Sequence, residues 1–140
     1  MSAFKFRLEK VLHVYETLEE QAKQEWAIQE RLAHEERVKL EVLEIKKEEV
    51  RTFGYEQVDL GLRQAMYSYL AVLDQRISKQ TVVIQEQEAL AHKAKEAWLK
   101  ARQEAQKVST LRDNKYEEFV KEELRKEQKL LDDMRSHLRD

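Results

Sequence analysis

The sequence predicts an all-α fold, an antiparallel two-helix coiled coil in the form of a long α-helical hairpin with the second helix the longer. Three observations carry that expectation. The 140 residues contain two glycines and no proline, while 39% are charged. Strands need turns, and turns draw on Gly, Pro, Asn and Asp; Glu, Lys, Gln, Ala, Leu and Arg dominate here and favour helix. Apolar residues recur in steps of three and four, and both glycines fall in one short stretch, TFGYEQVDLG.

A first helix over 3–52 follows from the seam Phe4, Leu8, Val11, Tyr15, Leu18, Ala22, Trp26, Gln29, Ala33, Glu36, Leu40, Leu43, Lys47 and Val50. Its steps alternate four and three except from Ala22 to Trp26, a stutter that locally unwinds a supercoil. A hinge over 53–61 comes next, with Gly54 expected at a left-handed C′ position and Asp59 as the N-cap of the following helix. The second helix, 62–138, carries Leu62, Met66, Tyr69, Leu73, Ile77, Gln80, Ile84, Gln87, Ala91, Ala94, Trp98, Ala101, Ala105 and Val108, with a stutter at Leu73–Ile77. Its register breaks around Leu111 to Phe119, and Val120, Leu124, Glu127, Leu131, Met134 and Leu138 begin a fresh set. All 140 residues are read as one coiled-coil domain.

Folding the chain about residue 57 places Trp26 near Ala89 and Phe4 near Leu111, and leaves residues after about 113 without a partner from the first helix, a stretch on the order of 40 Å. That stretch either frays in the free protein or awaits something complementary. Gln29, Glu36, Lys47, Gln80 and Gln87 interrupt the seam and alanines thin it between Ala91 and Ala105, so the hairpin is expected to be marginally stable and bendable, with its function on its outside. Trp26 and Trp98 lie at seam positions, which favours a structural role over that of exposed anchors.

Composition excludes several functions. A formal net charge of −2 supplies no field for nucleic acid, and no partner of that kind is expected. The longest apolar run, Tyr69 to Leu73, is far short of the roughly 20 residues of a membrane span, and the start has no signal-peptide core. With no cysteine, neither disulfides nor thiolate metal sites are available, and a cytoplasmic location is expected. Phosphate loops, nucleophile elbows and H-E-x-x-H pairs are absent. His13, His34, His92 and His137 follow Lys10, Arg31, Ala89 and Met134 by three residues, so no Glu-x-x-His unit exists and no metal or other cofactor is expected. Glu9, Glu30 and Glu88, four residues before the first three histidines, make ordinary helix-surface pairs.

What remains is the chemistry of contact. Lys5, Arg7 and Lys10 alternate with Phe4, Phe6 and Leu8 where a helix dipole disfavours cations, an arrangement better suited to docking against an acidic partner than to solubility.

The two ends resemble those of the flagellar export protein FliJ family. An aromatic, any residue, an apolar, a basic residue and Leu-Glu-x-x-Leu match Phe4, Phe6, Arg7, Leu8, Glu9, Val11 and Leu12. Near the C-terminus an acidic-Gln-Lys-x-x-Asp-acidic stretch matches Glu127, Gln128, Lys129, Asp132 and Asp133. Between them lie an aromatic-apolar run at Tyr69, Leu70, Val72, Leu73 and Ile77 and a tryptophan at Trp98. Length and hinge position also agree, so the likeness spans essentially the whole chain.

The resemblance implies a non-enzymatic stalk similar to the gamma subunit of rotary ATPases. It implies partners in the hexameric flagellar export ATPase, the cytoplasmic portion of the export-gate membrane protein, and export chaperones, with peripheral association at the cytoplasmic membrane of the flagellar basal body. It assigns ATPase binding to Phe6 with Lys5, Arg7 and Lys10, and to Glu127, Gln128, Leu131 and Asp132. Gate binding falls to Tyr69, Leu73 and Arg76, the last standing where the family's stripe has a small residue. The chain is expected to be a monomer when alone. Competing readings are the stalk of a virulence type III secretion injectisome, a generic coiled-coil scaffold or homodimer, and, against the histidine spacing, a metal-binding bundle.

Overall fold

A computed structural model describes residues 2–139. Two helices, α1 (Glu9–Glu56) and α2 (Leu60–Arg139), pack against each other antiparallel as a helical hairpin, and no strand occurs among the described residues. Contacts group the chain into two compact units, one of residues 22–98 and one of residues 1–21 with 99–140.

The 22–98 unit holds the turn. Only Gln57, Val58 and Asp59 lie outside helix, a length typical of an αα-hairpin loop. Asp59 is the N-cap of α2: its Oδ1 accepts from the N–H of Gly61 at 2.9 Å and of Leu62 at 3.4 Å, while its carbonyl accepts from Arg63. Gly54 does not take the expected left-handed position. It lies inside α1, and no described residue has a positive φ. A Cβ built on Gly54 would make ordinary contact with Met66, whose Sδ lies 3.7 Å away, so this seam position has room for a larger residue.

Inward-facing residues of α1 in this unit run Ala22, Trp26, Gln29, Ala33, Glu36, Leu40, Leu43, Lys47, Val50 and Gly54, as the sequence spacing predicts. Those of α2 run Arg63, Met66, Leu70, Leu73, Ile77, Gln80, Ile84, Gln87, Ala91, Ala94 and Trp98. Leu62 is exposed and Arg63 takes its place; Tyr69 and Leu70 are both half-buried. With Leu70 counted, the steps alternate without interruption, so the expected stutter at Leu73–Ile77 is absent.

The polar seam residues find partners across the hairpin. Gln87 Nε2 donates to the carbonyl and to Oε1 of Gln29 at 3.2 and 2.7 Å, and Gln80 Nε2 donates to the carbonyl and to Oε2 of Glu36 at 2.8 and 2.6 Å. Lys47 pairs with Asp74 at 2.7 Å and Arg37 with Glu88 at 3.1 Å. Trp26 stacks on Trp98, ring centroids 5.1 Å apart, instead of lying near Ala89. Helical side chains lean toward their own N-terminus, so on antiparallel helices two long side chains about a turn apart lean toward one another.

In the other unit α1 begins at Glu9, not at residue 3. Residues 2–6 carry no regular structure, and the first i→i+4 bond runs from Leu12 N–H to the Leu8 carbonyl. Phe4, Phe6 and Leu8 are half-buried while Lys5 and Arg7 are exposed, a period of two that belongs to an extended segment. Lys5 and Arg7 therefore precede the helix, and only Lys10 lies in its first turn. Leu12 is 6% exposed and Val11 39%, the reverse of the expected register, and Glu19 faces inward where Leu18 was expected. Leu12, Tyr15, Glu19 and Ala22 keep the alternation of three and four, which removes the stutter expected at Ala22–Trp26.

An extended residue advances about 3.3 Å, against 1.5 Å in a helix. Residues 2–8 accordingly reach beyond Leu111: Phe4 meets Tyr116 edge-on at 5.2 Å and Phe119 at 5.4 Å, and Ser2 Oγ donates to Glu123 Oε1 at 2.7 Å. Arg112 Nε donates to Glu9 Oε2 at 2.8 Å, and its guanidinium lies 5.7 Å from the Phe4 ring centre. The part of α2 that the first segment leaves uncovered starts at about residue 124, not 113, and it continues as helix to Arg139 with every described residue exposed.

Candidate protein-binding interface

The extended N-terminal segment lies along α2 and shapes a groove of ≈ 820 Å³ between residues 2–8 and the stretch from Leu111 to Lys126. Phe6 and Leu8 supply apolar walls with Leu111 and Phe119, and Lys5 and Arg7 stand on the rim. Phe4 fixes this geometry by its contacts with Tyr116 and Phe119, which the sequence pattern registered only as a break in the seam.

Charges on the two sides of the groove differ in how they are satisfied. On α2, Lys115 pairs with Glu118 at 3.5 Å, Arg125 with Glu122 at 3.4 Å and Lys126 with Glu123 at 4.0 Å. Lys5, Arg7 and Lys10 form no ion pair with any described residue. Glu9 instead takes Arg112, and its hydrogen bond raises the guanidinium's hold on its proton. Lys10 lies outside the groove, on a neighbouring shallow face with Glu9, Leu12 and His13.

Glu127, Gln128, Leu131 and Asp132 follow directly on the last groove residue, Lys126, and belong to the uncovered end of α2. Gln128 Nε2 donates to Asp132 Oδ1 at 3.1 Å, an i,i+4 pair on one face. Leu131 is 51% exposed, and Leu124, Leu130, Met134 and Leu138 are at least as open. The two sets assigned to ATPase binding thus lie on adjacent stretches of the same unit; none of the N-terminal set bonds to any of the C-terminal set.

The three residues assigned to the gate lie in the 22–98 unit and differ sharply in access. Tyr69 is half-buried with Lys46 Nζ 5.9 Å from its ring centre. Leu73 is 0% exposed and belongs to the packed seam. Arg76 is exposed and forms no ion pair with a described residue. Among the described residues no three His, Asp or Glu side chains converge as metal ligands do, and no helix is long and apolar enough to cross a membrane.

A helical hairpin whose distinguishing features are unpaired cations, an open apolar helix end and a seam of polar pairs is a protein of contacts. Residues 4–139 match the family model described as Flagellar FliJ protein. The chain belongs to that family and is a flagellar export-associated protein, of a family whose members are non-catalytic export components. No curated protein and no solved structure matches it.

Proposed function

We propose that the protein acts as a stalk for the hexameric flagellar export ATPase, promoting assembly or activity of the ring and linking it to the export gate. The observation that carries this reading is the end of α2. From Leu124 to Arg139 every residue is exposed, and Leu124, Leu131 and Met134 are each more than half open. An apolar helix end of this kind fits a partner with a central opening. Lys5, Arg7 and Lys10, without acidic partners among the described residues, suit an acidic rim beside that opening, where the positive end of α1 adds to their field.

The gate contact falls on Tyr69 and Arg76, since Leu73 is buried within the seam. Capture of empty export chaperones and peripheral association with the cytoplasmic membrane at the basal body complete the reading. The stalk is a monomer until it meets the ring.

The test is an activity titration of the cognate export ATPase. Deleting residues 127–140, which leaves the N-terminal groove in place, should abolish stimulation. Charge reversal at Lys5, Arg7 and Lys10 should weaken binding with helicity unchanged by circular dichroism. Full stimulation by the truncated chain overturns insertion of the α2 end.

A further inference from the structure

The last turns of α1 have two unlike faces. Of the three cations there, two turn toward α2, Lys46 over the Tyr69 ring and Lys47 to Asp74, while Arg51 lines a cleft with Arg63 and Met66 and pairs within its own helix. On the opposite side Val42, Ile45, Glu49, Phe53 and Glu56 recur in steps of three, four, four and three. That spacing makes a second stripe, turned away from the seam. Phe53 is 49% exposed, and Ile45 and Val42 are more open still. Ile45, Phe53, Glu48, Glu49 and Glu56 share one open surface concavity. Glu48 has Arg51 at 3.7 Å, whereas Glu49 and Glu56 form no ion pair with a described residue.

The charges are also placed against the helix itself. A helix C-terminus carries negative partial charge and gains from cations. The last turn of α1 has none, and Glu56 ends it. An apolar stripe, unpaired carboxylates and an uncompensated dipole all call for the same complement, bulky apolar side chains flanked by Lys or Arg at helical spacing.

From this charge complementarity we infer that the outer face of α1 from Val42 to Glu56 is a docking site for a cationic amphipathic helix of a partner protein. It is separate from the N-terminal groove and from Tyr69 and Arg76. The face rises about 20 Å along α1, matched by a partner segment of about four turns.

The test uses the full chain and a fluorescein-labelled amphipathic Leu/Lys peptide of about 14 residues, followed by anisotropy. Exposed ion pairs contribute little singly, so E48Q, E49Q and E56Q together should weaken binding about tenfold, with the effect shrinking at high salt. Phe53→Ala should weaken it as well. Glutamine keeps helix propensity close to that of glutamate, and helicity is checked by circular dichroism. The same charge change at Glu20, Glu35 and Glu86 should leave affinity within about twofold. Equal weakening by that control set would mean nonspecific attraction and overturn the proposal, as would unchanged affinity in F53A. A concentration-dependent dimer abolished by F53A would assign the face to a second copy of the chain instead.

Discussion

Gln80 Nε2 holds both the backbone carbonyl and the carboxylate of Glu36 across the hairpin, at 2.8 and 2.6 Å. One amide thus ties a side chain and a main chain of the facing helix at a position where a leucine would otherwise sit. Polar seam residues of this kind lower stability and select one alignment among several that apolar packing alone permits.

Removing one partner should therefore hurt and removing both should not. Gln80→Ala lowers the melting temperature, because the Glu36 oxygens lose their donor. The double variant Glu36→Leu, Gln80→Leu is expected to melt higher than the native chain while losing its single alignment. The near-UV circular dichroism of the Trp26–Trp98 stack reads that loss as a weaker signal.

The same pair sets an acid response. The Gln80 amide, and after it Lys39, holds the Glu36 carboxyl below its ordinary value of 4.5. A depressed carboxyl stabilises the fold above its unfolded value, and that contribution disappears as pH falls through the lower, folded value. Glu36→Gln should flatten the melting temperature against pH over that acid range and leave the neutral region with little slope.

Gly54 offers a gain. Its φ is not positive, and an added Cβ would make ordinary contact with Met66 at 3.7 and 3.9 Å. Gly54→Ala should stabilise the hairpin by about 0.4–1 kcal/mol in urea unfolding, through lower entropy of the unfolded chain and better helix propensity. Had Gly54 occupied a left-handed cap, the same change would destabilise.

Phe4 pins the extended segment. Phe4→Ala removes the contacts with Tyr116 and Phe119, each worth about 0.5–1.5 kcal/mol. Hydrogen exchange and proteolytic nicking should accelerate over residues 2–8 with little change in global melting, since α1 begins only at Glu9.

Trp26 and Trp98 report the alignment of the helices. Replacing either by Phe should remove most of their mutual near-UV signal while conserving helicity, because the coupled rings are stacked at 5.1 Å. Two independent contributions that simply halve on single replacement would contradict the stacked geometry.

The two helices, the capping role of Asp59 and most of the seam were legible in the sequence because a repeat of three and four sustained over many turns has one helical solution. Val11 against Leu12 and Leu18 against Glu19 were not. Apolar content favoured Val11 and Leu18, but a continuous helix keeps its phase, and the phase chose Leu12 and Glu19. The alternation of Phe4, Phe6 and Leu8 with Lys5 and Arg7 was visible as cations among apolar residues, yet its period of two signals extended chain. Recognising it would have placed Phe4 beyond Leu111. For the candidate sites, the sequence located the cations and the uncovered end of α2, and its seam already carried Leu73, so the burial of that residue followed from the spacing while its gate assignment came from the resemblance.

The pairs Gln29–Gln87 and Glu36–Gln80 are set one heptad apart on each helix. Sliding α1 by seven residues, about 10 Å, would bring Glu36 to Gln87 but leave Gln29 opposite Ala94 and Gln80 opposite Leu43. The two helices therefore work as a vernier: marks of equal pitch coincide in full at only one setting, and any neighbouring setting leaves hydrogen-bonding groups mismatched against hydrocarbon.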